Sequence, residues 1–493
     1  MFKQSQINSS VINPSIIELL GNVLPDHDLD DLQIGSGLSI SQRVAFDRFK
    51  EGDNLAILSP AGCGKSFVIK TMEEYNYTQD NYKKMYLCAT TGVAAYNIGG
   101  TTIHSFMGFG TGEEDLLTLI KRINRNKENV NKLKSEHILV IDEISMLSAA
   151  LFEKMDKIYQ YYRRNKLYFG GVQLIITGDL LQNECIFKQN NPGFNSWKKN
   201  DGGSSSGKDG NDNEVVQDTR LLIESQVYKK MFKEPVILKE NFRQKDDLTF
   251  INLLSRIRTG EFTNQDITLL QDKYRNFDQE LRNIQDLNSG ISPIQLVASN
   301  AKAQTINNSK LKNISEPIFN YQAEFNTVGE NIDIIDALKK ELYSQLKLIN
   351  LLTLDLKKGA RVMLIKNLDI DAGLVNGSMG VINAVTRDSV TVTFDNSVIQ
   401  QITPYEWGLE LFDCKVKVKQ IPIILAYAIT IHKSISLTLS SAVMDLADCF
   451  CNHMVYVAMS RVKSIDGLLL KSFNHRKITV NQKLLEYVTK LES

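Results

Sequence analysis

The stretch Ser59-Pro60-Ala61-Gly62-Cys63-Gly64-Lys65-Ser66 decides how the rest of this chain is read. It follows a short apolar run at 54–58, expected as a buried strand, and precedes residues 67–74, expected as a helix. That is the Walker A arrangement, GxxxxGK[ST], with Ser59 in place of the first glycine. Glycines let consecutive backbone N–H groups turn toward phosphate oxygens, and a helix N-terminus adds its partial positive charge. Residues 59–66 are therefore the expected nucleotide cradle. Within it Lys65 reaches the β- and γ-phosphates and Ser66 offers a hydroxyl to Mg²⁺. A chance glycine-rich turn would not place Lys-Ser in register at a strand-to-helix junction.

Downstream, Ile138-Leu139-Val140-Ile141-Asp142-Glu143 is an apolar run ending in two carboxylates. Behind a phosphate loop such a pair divides the work. Asp142 holds Mg²⁺ through water, and Glu143 polarises the attacking water. The runs at 54–58, 84–89, 138–141 and 172–177 are short and continuously apolar, as strands buried on both faces of a parallel sheet are. Periodic charged segments between them, such as 116–133, read as helices. The fold class is α/β.

The chain has 493 residues, too many for one core. A first α/β domain is expected over 37–232 and a second over 233–305 and 421–493. Between the halves of the second lies a β-rich insertion at 306–420, with runs at 361–365, 380–384 and 390–394. The turn signals Asn376-Gly377 and Asp395-Asn396 flank these runs. Residues 188–219 contain the Gly/Ser/Asp-rich stretch 199–210, which has nothing to build a core and reads as a disordered surface loop. Residues 1–36 form an N-terminal extension with an acidic patch at 26–31, either a flexible arm or a peptide that docks a partner.

Hydrophobic residues make up 43%, charged residues 23%, and the formal net charge is zero. This argues against a uniformly basic nucleic-acid coat, though not against a local basic groove. Six scattered cysteines form no CxxC pair, so no zinc site or disulfide framework is read, and a reducing compartment is expected. No signal peptide or membrane span is expected. The expected setting is soluble and intracellular: the nucleus of a eukaryote, the cytoplasm of a bacterium, or the host cell of a virus.

Six further segments, in order, resemble the superfamily-one helicases of the Pif and RecD-like group. They are Thr90-Thr91-Gly92-Val93-Ala94-Ala95 continuing through Thr102-Ile103-His104-Ser105-Phe106; Asp142-Glu143-Ile144-Ser145-Met146-Leu147; Leu238-Lys239-Glu240-Asn241-Phe242-Arg243-Gln244; 356–367 with Leu374-Val375-Asn376-Gly377; Tyr427-Ala428-Ile429-Thr430-Ile431-His432-Lys433-Ser434; and Tyr456-Val457-Ala458-Met459-Ser460-Arg461-Val462. The resemblance implies two RecA-like domains sandwiching ATP. A small wedge would be inserted at 110–135, and a Src-homology-like β-barrel at 306–420. It implies Gln42 as adenine reader, Gln182 as γ-phosphate sensor, and Arg243 and Arg461 as arginine fingers. It places Thr91, His104, Thr430, His432 and Lys433 near a DNA strand. Phe106 and Phe109 read either as base-stacking platforms or as core, and His104 either as a DNA contact or as a hydrogen-bonded core histidine.

The implied activity is 5′→3′ translocation on single-stranded DNA with duplex unwinding, in replication, repair or recombination, by a monomer. The implied substrates are single-stranded and forked DNA. If the N-terminal extension docks a partner, a replication or single-strand-binding protein is the one expected. Two readings compete: a translocase that remodels complexes without unwinding, and a paralogue that binds without hydrolysing. Two departures from the family bear on them. Asn183-Glu184-Cys185 stands where Leu-Pro-Pro is usual, and Ile435-Ser436 stands where Gln-Gly is usual.

Overall fold

A computed structural model describes residues 34–185 and 220–492, apart from 111, 288–291, 331, 349–350, 367, 370–371, 375, 412–413 and 436. The expected surface loop at 188–219, residue 436 and most of the N-terminal extension lie outside the described residues. Ile34 and Leu38 pack on the first core, so the described end of the extension is part of the fold.

The first domain is built on six parallel strands: β1 (Leu55–Leu58), β2 (Lys84–Ala89), β3 (Thr101–Thr102), β4 (His137–Asp142), β5 (Gln173–Gly178) and β6 (Val236–Ile237). Their order is β3-β2-β4-β5-β1-β6, with Leu55 opposite Ile175 and Val140 opposite Ile175. Strands β1 and β4 are buried along their whole length, as apolar runs with helices on both faces must be. One face packs under the helix Ala149–Arg163, the other under Ile40–Lys50 and Lys65–Thr78.

The periodic segment expected as one helix at 116–133 is two, Leu116–Asn124 and Lys127–Lys134. The break falls where the Asn126 side chain accepts the Glu128 N–H at 2.9 Å, an N-cap that starts a new helix. Leu119, Ile120, Ile123 and Leu133 are buried in the first core, so the segment is a folded helical pair.

Past β6 the chain enters the second domain, whose first helix is Leu248–Thr259 and which carries β7 (Ile294–Val297). Then comes the insertion: β8 (Phe319–Gln322), β9 (Glu324–Val328), the helix Ile332–Leu348, β10 (Thr353–Leu356), β11 (Arg361–Leu364), β12 (Met379–Val385), β13 (Val390–Phe394), β14 (Ile399–Ile402), β15 (Tyr405–Leu411), β16 (Cys414–Gln420) and β17 (Ile423–Leu425). An antiparallel sheet β14-β13-β12-β11-β17 and the pair β10-β8 share one core around Leu356, Val362 and Val392, a small incompletely closed barrel. The sheet β15-β16-β9 and its helix form a second lobe with its own core of Leu342, Val416 and Val418, which the single-barrel expectation does not contain. Strands β18 (Ala428–Thr430), β19 (Ala442–Asp445) and β20 (Leu468–Ser472) return to complete the parallel sheet β18-β7-β19-β20. Both α/β domains are RecA-like.

Three expected boundaries move. The second domain does not begin at 233, because β6 pairs with β1 of the first sheet, Ile57 opposite Val236. A two-residue strand has too little length to declare its sheet. The insertion runs from about residue 313 to 425 rather than 306–420. The helix Asn300–Lys312 lies against β7 and β18, while β17 pairs with β11. Finally, the helix Gln482–Glu492 does not belong to the second domain. Leu484 and Val488 are buried in the first core, and Tyr487 donates its hydroxyl hydrogen bond to Tyr228 at 3.2 Å.

Candidate active site

The phosphate loop lies between β1 and the helix Lys65–Thr78. Gly62 and Gly64 have φ of 86° and 78°, which favour glycine. A Cβ on Gly64 would stand 2.5 Å from Gln42 Nε2, and one on Gly62 2.8 Å from Arg243 Cβ. Ser59 is not among the residues with positive φ, so the glycine usual there is dispensable. Its hydroxyl instead accepts a hydrogen bond from Lys65 Nζ at 3.1 Å. The Lys65 ammonium also lies 3.4 Å from the carbonyls of Ser59 and Pro60, turned onto the loop's own oxygens. Ser66 is exposed at the start of the helix. Gln42 is buried: its amide donates to Cys63 O at 3.1 Å and accepts from Ser39 N at 3.0 Å, so it braces the loop from behind.

Both carboxylates close β4. Asp142 accepts a short hydrogen bond from the Thr177 hydroxyl at the end of β5. Glu143 sits at φ 56°, a left-handed conformation costly for a residue with a side chain, which at a site of chemistry fixes its direction. Burial first, and then the neighbouring Asp142 charge, push its carboxyl up to about 7. One of its oxygens is buried without a hydrogen-bond partner, as befits a group held ready for water and for the charges of a nucleotide.

The second domain closes over this loop. Phe242 N donates to Gly62 O at 2.8 Å, and Asn241 Oδ1 accepts from Arg243 N and Gln244 N at 3.0 and 2.9 Å. Arg243 donates to Ser460 O at 2.8 Å. Arg461 is 2% exposed, held by Val457 O and Ser460 Oγ, each at 2.8 Å. Burial, then the Arg243 charge, lower its pKa to about 9, with Glu143 pulling the other way. A buried guanidinium beside another, both near Glu143, is costly unless an anion is to join them. Lys65, Glu143, Arg243 and Arg461 thus converge on one seam. Gln182 is buried in the turn after β5, its N–H on Asp179 O at 3.1 Å.

Two contacts across the seam escaped the sequence. Tyr456 accepts the Ala61 N–H at 3.1 Å. Arg258 grips Asp179 through Nη2 at 2.9 Å and Nε at 3.2 Å, both side chains buried. The available signal was an arginine one residue from the apolar face of the helix Leu248–Thr259, where Ile257 is core.

The expected DNA contacts divide. His104 and Lys433 are half-buried, as are Thr91 and His432. Burial lowers the pKa of His432 and Lys433. Thr91 Oγ1 accepts Ala94 N at 3.2 Å and so begins a helix. His104 meets Phe109 edge-to-face at 5.6 Å. Thr430 is buried, and its hydroxyl accepts Lys433 N at 3.2 Å, so it shapes the turn. Phe106 is 2% exposed and packs 4.9 Å from Tyr86, and Phe109 is fully buried. Base stacking by either is therefore corrected: both are core. Ile435, at one of the departures from the family, is buried in the second core.

Among the described residues no group of three or more His, Cys, Asp or Glu is placed to hold a metal alone, and no helix is long and apolar enough to cross a membrane.

Comparison with known proteins places these features. The PIF1-like helicase family matches residues 37–193, and the 2B domain of DNA helicase Pif1 matches 341–385. The ATP-dependent DNA helicase PIF1 of Candida albicans is 30% identical over 92% of this chain, which spans 56% of that relative's length. The crystal structure of Pif1 helicase from the same organism superposes with a TM-score of 0.72 at 31% identity, covering 92% of this chain and 99% of the other. That of Bacteroides sp Pif1 in complex with ADP-AlF4 gives 0.68 at 25%, covering 92% and 97%.

Proposed function

Because the chain belongs to the PIF1-like helicase family, we propose that it is an ATP-dependent DNA helicase that moves 5′→3′ on single-stranded DNA and unwinds duplex, in replication, repair or recombination. The observation that carries this reading is the seam itself: Arg243 and Arg461 of one domain face Lys65 and Glu143 of the other. That is the charge set a transferring phosphoryl group requires.

Lys65 leaves the loop carbonyls for the nucleotide's β- and γ-phosphates. Glu143 orients the attacking water, and Gln182, beside Asp179, senses the γ-phosphate. Arg243 and Arg461 stabilise charge on the phosphoryl oxygens, an effect worth roughly 10³–10⁵ in rate in related NTPases. Ser66 and Asp142 are the residues that would hold Mg²⁺, which would offset the negative charge of the phosphates there. The buried, unpartnered oxygen of Glu143 fits a site completed by nucleotide and ion. Gln42 supports the adenine side.

His104, His432 and Lys433 contact the strand through its backbone, which reads no sequence. The helical pair at 116–134 serves as the wedge, with single-stranded and forked DNA as substrates, a monomer as the acting unit, and the N-terminal extension as the dock for a replication or single-strand-binding protein. The test is a gel assay of 5′-tailed against 3′-tailed duplex with ATP. Release from the 5′-tailed substrate alone is expected, and release from the 3′-tailed one alone would refute the polarity.

One observation favours the translocase alternative. Leu437, just past Ile435, lies so close to Gly377 of the insertion that a Cβ there would meet Leu437 Cδ2 at 2.5 Å. This apolar contact follows directly on Ile435-Ser436, which stand where the family usually carries Gln-Gly. ATP hydrolysis without strand release from either substrate would select this reading.

A further inference from the structure

A buried ion network crosses the seam away from the phosphate loop's glycines. Arg258 ends the helix Leu248–Thr259, whose other end follows directly on the Arg243 segment. Its guanidinium takes both oxygens of Asp179, at 2.9 and 3.3 Å, and reaches Glu492 at 3.4 Å. Asp179 belongs to the first domain, one residue beyond β5. Glu492 belongs to the helix that returns to that domain. So a second-domain arginine is clamped between two first-domain carboxylates, beside a small cavity that Ser59 of the phosphate loop also lines.

Asp179 does more than bear charge. Its Oδ1 accepts Leu181 N at 3.0 Å and its carbonyl accepts Gln182 N at 3.1 Å, so it folds the turn that carries Gln182. Burial alone would raise the Asp179 carboxyl, yet the Arg258 charge and hydrogen bonds hold it below the ordinary range. The same helix that bears Arg258 packs on the helix Met454–Met459, which carries Tyr456 and leads into Arg461. A shift of the second domain would therefore reach the Gln182 turn along a line of charge and packed side chains that does not run through the phosphates.

We infer that Arg258 is a positioning residue: through Asp179 it sets the Gln182 turn according to where the second domain stands, and so ties turnover to closure of the seam. The inference rests on the reading of the chain as a DNA-stimulated ATPase. A buried pair serving stability alone would make the same contacts, so the test must read turnover separately from binding and folding.

The full chain and its variants Arg258→Gln, Arg258→Lys, Asp179→Asn and Asp179→Asn/Arg258→Gln are compared. The readouts are ATP turnover with and without oligothymidine, affinity for a fluorescent ATP analogue, and thermal unfolding. Arg258→Gln is expected to keep nucleotide affinity within about twofold while kcat with DNA falls about tenfold or more. Arg258→Lys, which keeps charge but not the forked grip, recovers part of the loss. The double variant is expected to be no slower than the slower single one, because both remove the same link. Wild-type kcat in Arg258→Gln, or losses that multiply in the double variant, would overturn the inference. If Arg258→Gln does not fold, Asp179→Asn decides, since it preserves shape: wild-type kcat there overturns the role, and a selective loss of kcat supports it. A wild-type chain whose turnover ignores DNA would sink the helicase reading, and the same comparison on the DNA-free rate would still settle the role of Arg258.

Discussion

The Tyr456 hydroxyl accepts a hydrogen bond from the Ala61 N–H at 3.1 Å, joining the second domain's Met454–Met459 helix to the phosphate loop of the first. Tyr456 is buried, and so is that amide's surrounding. Tyr456→Phe leaves a buried N–H without its acceptor. The expected cost is about 1–3 kcal/mol in nucleotide-free protein by urea unfolding. An unchanged midpoint would show that the contact carries no weight.

Among the described residues the Lys65 ammonium hydrogen-bonds only to oxygens of its own loop, so its removal should spare the fold. Lys65→Ala is expected to abolish phosphate release while the unfolding temperature stays close to wild type. Hydrolysis at the wild-type rate would displace the active site from this loop.

Arg461 separates binding from turnover. Arg461→Ala is expected to bind nucleotide but to turn over about 10³-fold slower. Loss of nucleotide binding with no turnover defect of its own would contradict a finger role. In the absence of nucleotide the same change removes a charged guanidinium that burial and the Arg243 charge both disfavour.

Phe106 tests core against stacking. Packed against Tyr86 and His137, it makes Phe106→Ala a cavity mutation costing about 3–5 kcal/mol. A selective fall in DNA affinity at unchanged stability would restore the stacking role.

Buried His453 gives an acid limb to stability. Burial lowers its pKa to about 4 from an ordinary 6.5, and its Nε2 must stay unprotonated to accept Asn481 N at 3.1 Å. A depressed histidine stabilises the fold above pH 6.5, and that contribution is lost as pH falls toward 4. Glu143, raised to about 7, works in the opposite sense and is most favourable at low pH. His453→Asn, which tolerates the left-handed φ of 61°, should flatten the fall in urea midpoint between pH 6.5 and 4. An equally steep fall would assign that limb to other groups, His137 foremost, since burial lowers it to about 4 as well.

What could be read from the sequence was local. The run Ile138 to Ile141 is apolar without a break because both faces of its strand are covered, and the Lys65-Ser66 pair declares its chemistry by type and spacing. What could not be read was set by distant packing. Val236-Ile237 joins the first sheet because β1 offers it an edge, a fact stored 179 residues away in Ile57 and Leu58. Phe106 has the same composition and spacing whether it faces a base or Tyr86. The partners Asp179 and Arg258 lie 79 residues apart, with no periodicity to link them.

The helix Gln482–Glu492 gives the two α/β domains a second covalent tie. The chain leaves the first domain after β6, builds the second, and comes back to lock Lys483 onto Glu224 at 3.1 Å and Tyr487 onto Tyr228. Bodies joined at one point can swivel freely, whereas bodies joined at two share an axis through the joints. The outgoing segment near Leu238 and the returning segment before Gln482 define such an axis, and opening and shutting about it is the motion that leaves both joints intact.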